Sequence, residues 1–226
     1  MDKDTKNTLA NIFKKQQPEN KNYHNSAGKC IDSREHFFFT YKMLFVNNIH
    51  MTLSSSINDY IKNSLIRGKL CRWKKTQVFV YISPISALIN NKESMYYLVK
   101  QALQSWNTIL KNNFINIQFE ILQTPENADI IINWMKVGRI YEGMCKYLSV
   151  IQDEIKKIAI EIGLPNEYSN KNTTDMSIYC AIMHELGHAL GLGHGVDIDD
   201  IMFVPHKKNI SIPSENDIFV LKEIYN

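Results

Sequence analysis

His184-Glu185-Leu186-Gly187-His188-Ala189-Leu190-Gly191-Leu192-Gly193-His194 decides how the rest of this 226-residue chain is read. His184 and His188 are four apart, so on an α-helix they stand one turn above each other on one face. That spacing lets two imidazoles reach one zinc ion at about 2.0–2.1 Å. Glu185 lies beside the first of them, where the HExxH pattern places a general base rather than a ligand. Gly191 suits a positive-φ turn, after which the chain can reverse and deliver His194 as a third ligand. Three protein ligands leave a fourth position for water, the catalytic arrangement and not the closed structural one. The bland alternative is a helix whose histidines are solvated or satisfied in a core. That reading has to meet Gly at 191 and His at 194 by accident.

Downstream, Asp200-Ile201-Met202-Phe203-Val204-Pro205 places a methionine eight residues after His194. HExxHxxGxxH followed by such a methionine resembles the zinc signature and Met-turn of the metzincin metallopeptidases. The short gap and the Ile-Met-x-x-Pro form are similar to the matrixin branch. Arg72-Trp73-Lys74-Lys75 ahead of a strand, Trp106, Ala128-Asp129-Ile130 and the ending Asp217…Ile224-Tyr225 also resemble that family, over about residues 72–226. The resemblance implies an α+β metzincin fold: a twisted, mixed five-stranded sheet with three helices, zinc in the cleft and an antiparallel edge strand lining it. It further implies a zinc endopeptidase that binds polypeptide substrate extended along that edge. His184, His188 and His194 would hold one zinc, Glu185 would be the base, and Met202 would support the site without binding metal.

Composition is that of a globular chain, 44% hydrophobic and 22% charged, long enough for one substantial domain plus an extension. Charge is unevenly spread. Residues 1–72 carry 12 basic and 6 acidic side chains, and residues 73–226 carry 14 and 17. The division expected is a basic N-terminal extension, 1–71, and a matrixin-like domain, 72–226. An extension of this kind is open to three readings: an inhibitory pro-segment, a nucleic-acid or membrane contact, or a solvated tail. No nucleic-acid partner is expected, because the arm lacks a recognition motif or interleaved aromatics.

Cys30, Cys71, Cys145 and Cys180 show no CxxC spacing and suggest neither a second metal site nor a disulfide framework. The first twenty residues have no apolar h-region, so no signal peptide is expected there, although the family's habit is export. Phe37–Val46, the most apolar run, is ten residues with Lys42 inside, too short to span a bilayer. Its other reading is an h-region behind a misassigned start. A monomer is expected, and the cellular location stays open.

In chain order, residues 1–50 show no sustained periodicity beyond a weak helical turn near Leu9, Ile12 and Phe13. Residues 54–66 read as an amphipathic helix with Ile57, Tyr60, Ile61 and Leu65 on one side, ended by Gly68. Thr76–Ser83 reads as a strand, 92–111 as a helix, Ile115–Ile121 as a half-buried strand and Ala128–Trp134 as an interior one. Tyr147–Ile151 and Lys156–Ile162 are short strand candidates. Pro165 to Asn172 is a loop, Thr173 to Asp175 supply N-cap chemistry for the active-site helix, and a last helix runs from about Ser214 to Tyr225.

Two family features have no counterpart. Pro-matrixins hold a cysteine against zinc in a Pro-Arg-Cys-Gly context. Here Cys30 sits in Gly28-Lys29-Cys30-Ile31, and Cys71 lies two residues before Trp73. Between Trp134 and Asp175 there is no histidine and few glycines, so a single zinc is expected and calcium is left open. His24, His36, His50 and His206 read as surface residues. Two rival functions remain: a zinc-bound, non-catalytic module that docks a partner, and a zinc hydrolase of a non-peptide amide.

Overall fold

A computed structural model describes residues 23–24, 30–31, 55–85, 92–136, 143–164, 175–205 and 210–226. Met1–Leu53 forms one unit, in which β1 (Tyr23–His24) pairs antiparallel with β2 (Cys30–Ile31). Ser54–Asn226 forms a second compact unit. The expectations for Leu9–Phe13, Phe37–Val46, His36, His50, His206, the side chains of His24 and Cys30, and the loop and cap over 165–174 fall outside what is described.

The second unit is built on a five-stranded sheet of order β6-β5-β7-β9-β8. Its strands are β5 (Gln77–Ile82), β6 (Gln118–Leu122), β7 (Ile130–Lys136), β8 (Gly143–Ile151) and β9 (Glu154–Leu164). Four are parallel, and β8 runs antiparallel at the edge beside β9. This is the mixed α+β sheet expected. Central β7 and β9 bury Ile130, Ile132, Ile158, Ile160 and Ile162, the near-continuous apolar run of strands covered on both faces.

Helix α2 (Lys92–Asn112) buries Met95, Leu98, Val99, Ala102, Leu103, Trp106 and Leu110, one stripe at spacings of three and four. Helix α3 (Asp175–Ala189) is buried on nearly every side, including His184 and Glu185. The two are tied by Trp106 Nε1 donating to the Met183 carbonyl at 3.0 Å and Tyr179 Oη donating to Ser105 at 2.8 Å. Helix α4 (Glu215–Tyr225) starts from a capping box, with Ser214 and Asp217 each taking the other's backbone N–H.

The three helices expected of residues 72–226 are α2, α3 and α4, and a fourth, α1 (Ser55–Asn63), lies ahead of them where a helix was read over 54–66. The helix read over 54–66 stops at Asn63. Leu65 leaves it for a hairpin, β3 (Leu65–Ile66) with β4 (Lys69–Leu70), in which Leu65 faces Leu70. Gly68 therefore is a turn residue and not a helix stop. Arg67 and Gly68 take φ of 53° and 79°, the paired positive values of a type I′ hairpin turn. The β8–β9 hairpin is also longer than its short candidates, because residues 143–146 gain their strand geometry from pairing with β9.

Candidate active site

An α-helix leaves its last carbonyls without partners inside the helix, and α3 must end inside the protein. Gly191, at φ 99°, turns the chain. Leu192 N–H donates to Gly187 O at 3.1 Å and Gly191 N–H to His188 O at 2.9 Å, the two bonds of a Schellman closure. Three aromatic side chains complete the end. Tyr147 Oη on β8 donates to His188 O, Trp73 Nε1 to Ala189 O at 2.8 Å, and Tyr225 Oη on α4 to Leu190 O at 3.0 Å. The turn that follows the second histidine is thus held from three directions.

That closure brings the third histidine back to the first two. One nitrogen from each of His184, His188 and His194 lies within 4.8 Å of the others. His184 is buried, His188 half-buried and His194 exposed, so the trio opens to solvent on one side. His188 Nδ1 meets Leu192 O at 2.8 Å, and His184 Nδ1 meets Ile201 O at 2.9 Å. A carbonyl can only accept, so each Nδ1 carries the hydrogen and each Nε2 keeps its lone pair. A backbone carbonyl behind Nδ1 fixes the ring in the way a metal-binding imidazole needs.

The carbonyl of Ile201 belongs to the turn that carries Met202. Gly195 N–H donates to Met202 O at 2.8 Å, and Asp217 Oδ2 accepts Ile201 N–H at 2.8 Å. Asp200 accepts the N–H groups of Val196 and Asp197 at 3.0 and 2.8 Å. Met202 is fully buried beneath α3, against Gly187, where a side chain on residue 187 would strike its sulfur.

Glu185 is 4% exposed. Burial pushes its carboxyl up to about 8, while the backbone N–H of Cys145 pulls it down. The strand that supplies this N–H is the edge strand β8. Gly143, Cys145 and Tyr147 alternate along it and all three meet α3: Gly143 against Glu185, Cys145 through its N–H, Tyr147 through its hydroxyl. Beyond Tyr147 the register with β9 shifts on either side of Ser149, the kind of irregularity found beside functional sites. Among the described strands β8 pairs only with β9, so no strand lies along its other edge.

The Matrixin family model matches residues 72–226. The chain belongs to the matrixin family. No curated protein matches it as a relative. Matrixins are zinc metallopeptidases, which makes a polypeptide the class of substrate. The donor set fits that metal: three neutral imidazoles meeting at one point are a common zinc tripod. Among the described residues, no other set of three or more His, Cys, Asp or Glu is placed to hold an ion, and no helix is long and apolar enough to cross a membrane.

Within this matrixin, the structure brings His184, His188 and His194 together, sets Glu185 beside them and puts Met202 below. Cys180 is buried on α3, outside the trio. Cys71 is buried beneath its own hairpin, with Sγ directed at the Ile66 and Lys69 carbonyls. Sequence reasoning missed Gly143 and Cys145, because the strand was read only from Tyr147 onward, and it missed the contact Tyr147 makes with α3. It also missed Asn63 and Ser64, which reach the His194 loop from α1. The signal for the first group was the alternation of 143, 145 and 147. The second group had no local signal.

Proposed function

We propose that this matrixin is a zinc-dependent endopeptidase in which His184, His188 and His194 hold one catalytic zinc and Glu185 is the general base. The observation that carries the reading is the convergence of the three imidazoles within 4.8 Å, two of them oriented by backbone carbonyls. Zinc held there supplies Lewis acidity toward a carbonyl and acidifies a water. Glu185, next along the helix from His184, takes the proton of the attacking water and passes it to the leaving amine. The edge of β8 binds the substrate as an added strand, main chain to main chain, and holds the scissile bond over the histidines. Met202 supports the tripod from below and does not bind the ion.

The test pairs elemental zinc content with a quenched-fluorescence peptide library on the full chain. One zinc per chain with internal peptide-bond cleavage is the expected result. One zinc with no cleavage of peptides or casein, but turnover of small amides, would replace the endopeptidase with a different amide hydrolase. One zinc with no turnover of either would make the domain a binding module.

A further inference from the structure

The third imidazole stands on different ground from the first two. His184 and His188 ride on a buried helix, whereas residues 192–195 have no regular secondary structure and His194 is exposed. A ligand on irregular backbone is held only as well as the hydrogen bonds of that backbone. Two of those bonds come from the end of α1. Ser64 Oγ accepts Gly193 N–H at 2.9 Å, and Asn63 Nδ2 donates to His194 O at 3.0 Å. They grip the chain on both sides of the His194 Cα.

Gly193 carries a second mark of the same contact. It occupies a wildcard position of HExxHxxGxxH, so the motif asks for no glycine there, and its φ is not among the positive ones. A Cβ at 193 would collide with the Asn63 carbonyl and lie 2.5 Å from the Ser64 nitrogen. Closeness to α1 is what requires glycine. Gly191 is met in the same way by the Cys71 carbonyl, 2.5 Å from where its Cβ would be.

The gripping residues are themselves fixed. Ser64 is buried, its hydroxyl donates to Tyr60 O at 3.0 Å, and its N–H closes α1 on Tyr60 O and Ile61 O. Tyr60, fully buried, donates its hydroxyl to Asp217 of α4 at 2.5 Å. Tyr60, Asn63 and Ser64 all lie ahead of residue 72, where the family match begins.

We propose that Asn63 and Ser64 are positioning residues for the third imidazole, and that the segment from Ser55 is a working part of the metal site rather than a removable pro-segment. The inference rests on reading His194 as a ligand. Processing that leaves an active enzyme must then fall ahead of Ser55, and a cut between Ser64 and Arg72 disables it.

The experiment uses the full chain with Asn63→Asp and Ser64→Ala combined. Asn63→Asp keeps the shape and loses the donor; Ser64→Ala loses the acceptor. Val99→Ala, in the core of α2, serves as a purely structural control. Zinc affinity is measured by chelator competition, and ligand geometry by the visible spectrum of the cobalt-substituted protein. The double variant should bind zinc at least about tenfold more weakly, the usual effect of losing a partner behind the ligands, and should shift the cobalt bands. Val99→Ala should lower the thermal midpoint and leave both readouts alone. Gly193→Ala, which presses on the same contact from the loop side, should weaken zinc as well, and covers the case of a double variant that fails to fold. Zinc affinity within twofold of wild type in either, with unchanged cobalt bands, overturns the brace. A wild-type chain that takes up no zinc overturns the ligand reading, and the brace with it.

Discussion

Gly143 of the edge strand lies directly against Glu185: a Cβ at residue 143 would come within 2.7 Å of Glu185 Cγ and 2.8 Å of its Oε1. The absence of a side chain on β8 is therefore a condition for the carboxyl to stand where it does. Gly143→Ala should push Glu185 out of place while the histidines keep theirs. An ångström-scale displacement of a reacting group costs on the order of 10²-fold in rate. The measurement is kcat/KM on a quenched peptide beside zinc content. A variant with near wild-type turnover would show that the carboxyl has room to move.

Glu185→Ala separates binding from chemistry. Glu185 is not among the three residues proposed to hold zinc, so zinc content should stay at wild type. Loss of a general base is expected to lower the rate by about 10²–10⁴-fold. A desolvated carboxyl also leaves the interior, so the thermal midpoint should hold or rise. Peptidase activity within a few-fold of wild type would transfer the base role elsewhere.

The parts of this site that sequence revealed are those set by local geometry. His184, Glu185 and His188 follow from helical spacing, and Gly191 from the need for a positive φ. The parallel strands β5, β6 and β7 follow from their apolar patterns to within a few residues. Edge strand β8 was legible only in its second half, because Gly143 to Lys146 become a strand by pairing with Ile162 to Ala159, a relation between distant segments. Leu65 carried the spacing of a helix face, yet a two-residue turn at Arg67-Gly68 pairs it with Leu70. Nothing near Asn63 announces His194, since the bond between them spans 131 positions.

Trp73 tests the closure of the active-site helix. Its indole is buried and donates to Ala189 O at 2.8 Å. Trp73→Phe keeps most of the apolar surface and leaves that carbonyl without its donor in a dry place. The expected loss is about 1–3 kcal/mol of stability, the cost of an unsatisfied buried acceptor, plus the smaller ring's lost packing. Urea unfolding should show a lower midpoint at an unchanged slope. A midpoint equal to wild type would mean that another donor replaces the indole.

Asp217 offers a pH test away from the histidines. It is fully buried between α1, α4 and the Met202 turn, and accepts Tyr60 Oη, Ile201 N–H and Ser214 N–H. Burial, with help from the nearby Asp200 carboxylate, raises its carboxyl above the usual range against the pull of the three donors. A raised native value means that the folded chain binds this proton more tightly than the unfolded chain does. The resulting stability is fully present below the ordinary carboxylate pKa, near 3.9, and is lost as pH rises through the native value. Asp217→Asn cannot titrate and sets an amide NH2 where a carboxyl oxygen accepts, so it should be less stable than wild type throughout. The wild-type advantage should shrink as pH rises from about 4 through the native pKa and level off above it. Unfolding free energies of the two proteins across that range supply the test, and an advantage that grows with pH would mean that the donors outweigh burial. Tyr60→Phe removes one donor to the same carboxylate and should cost about 1.5–3 kcal/mol where Asp217 is ionised, falling toward 1 kcal/mol where it is neutral.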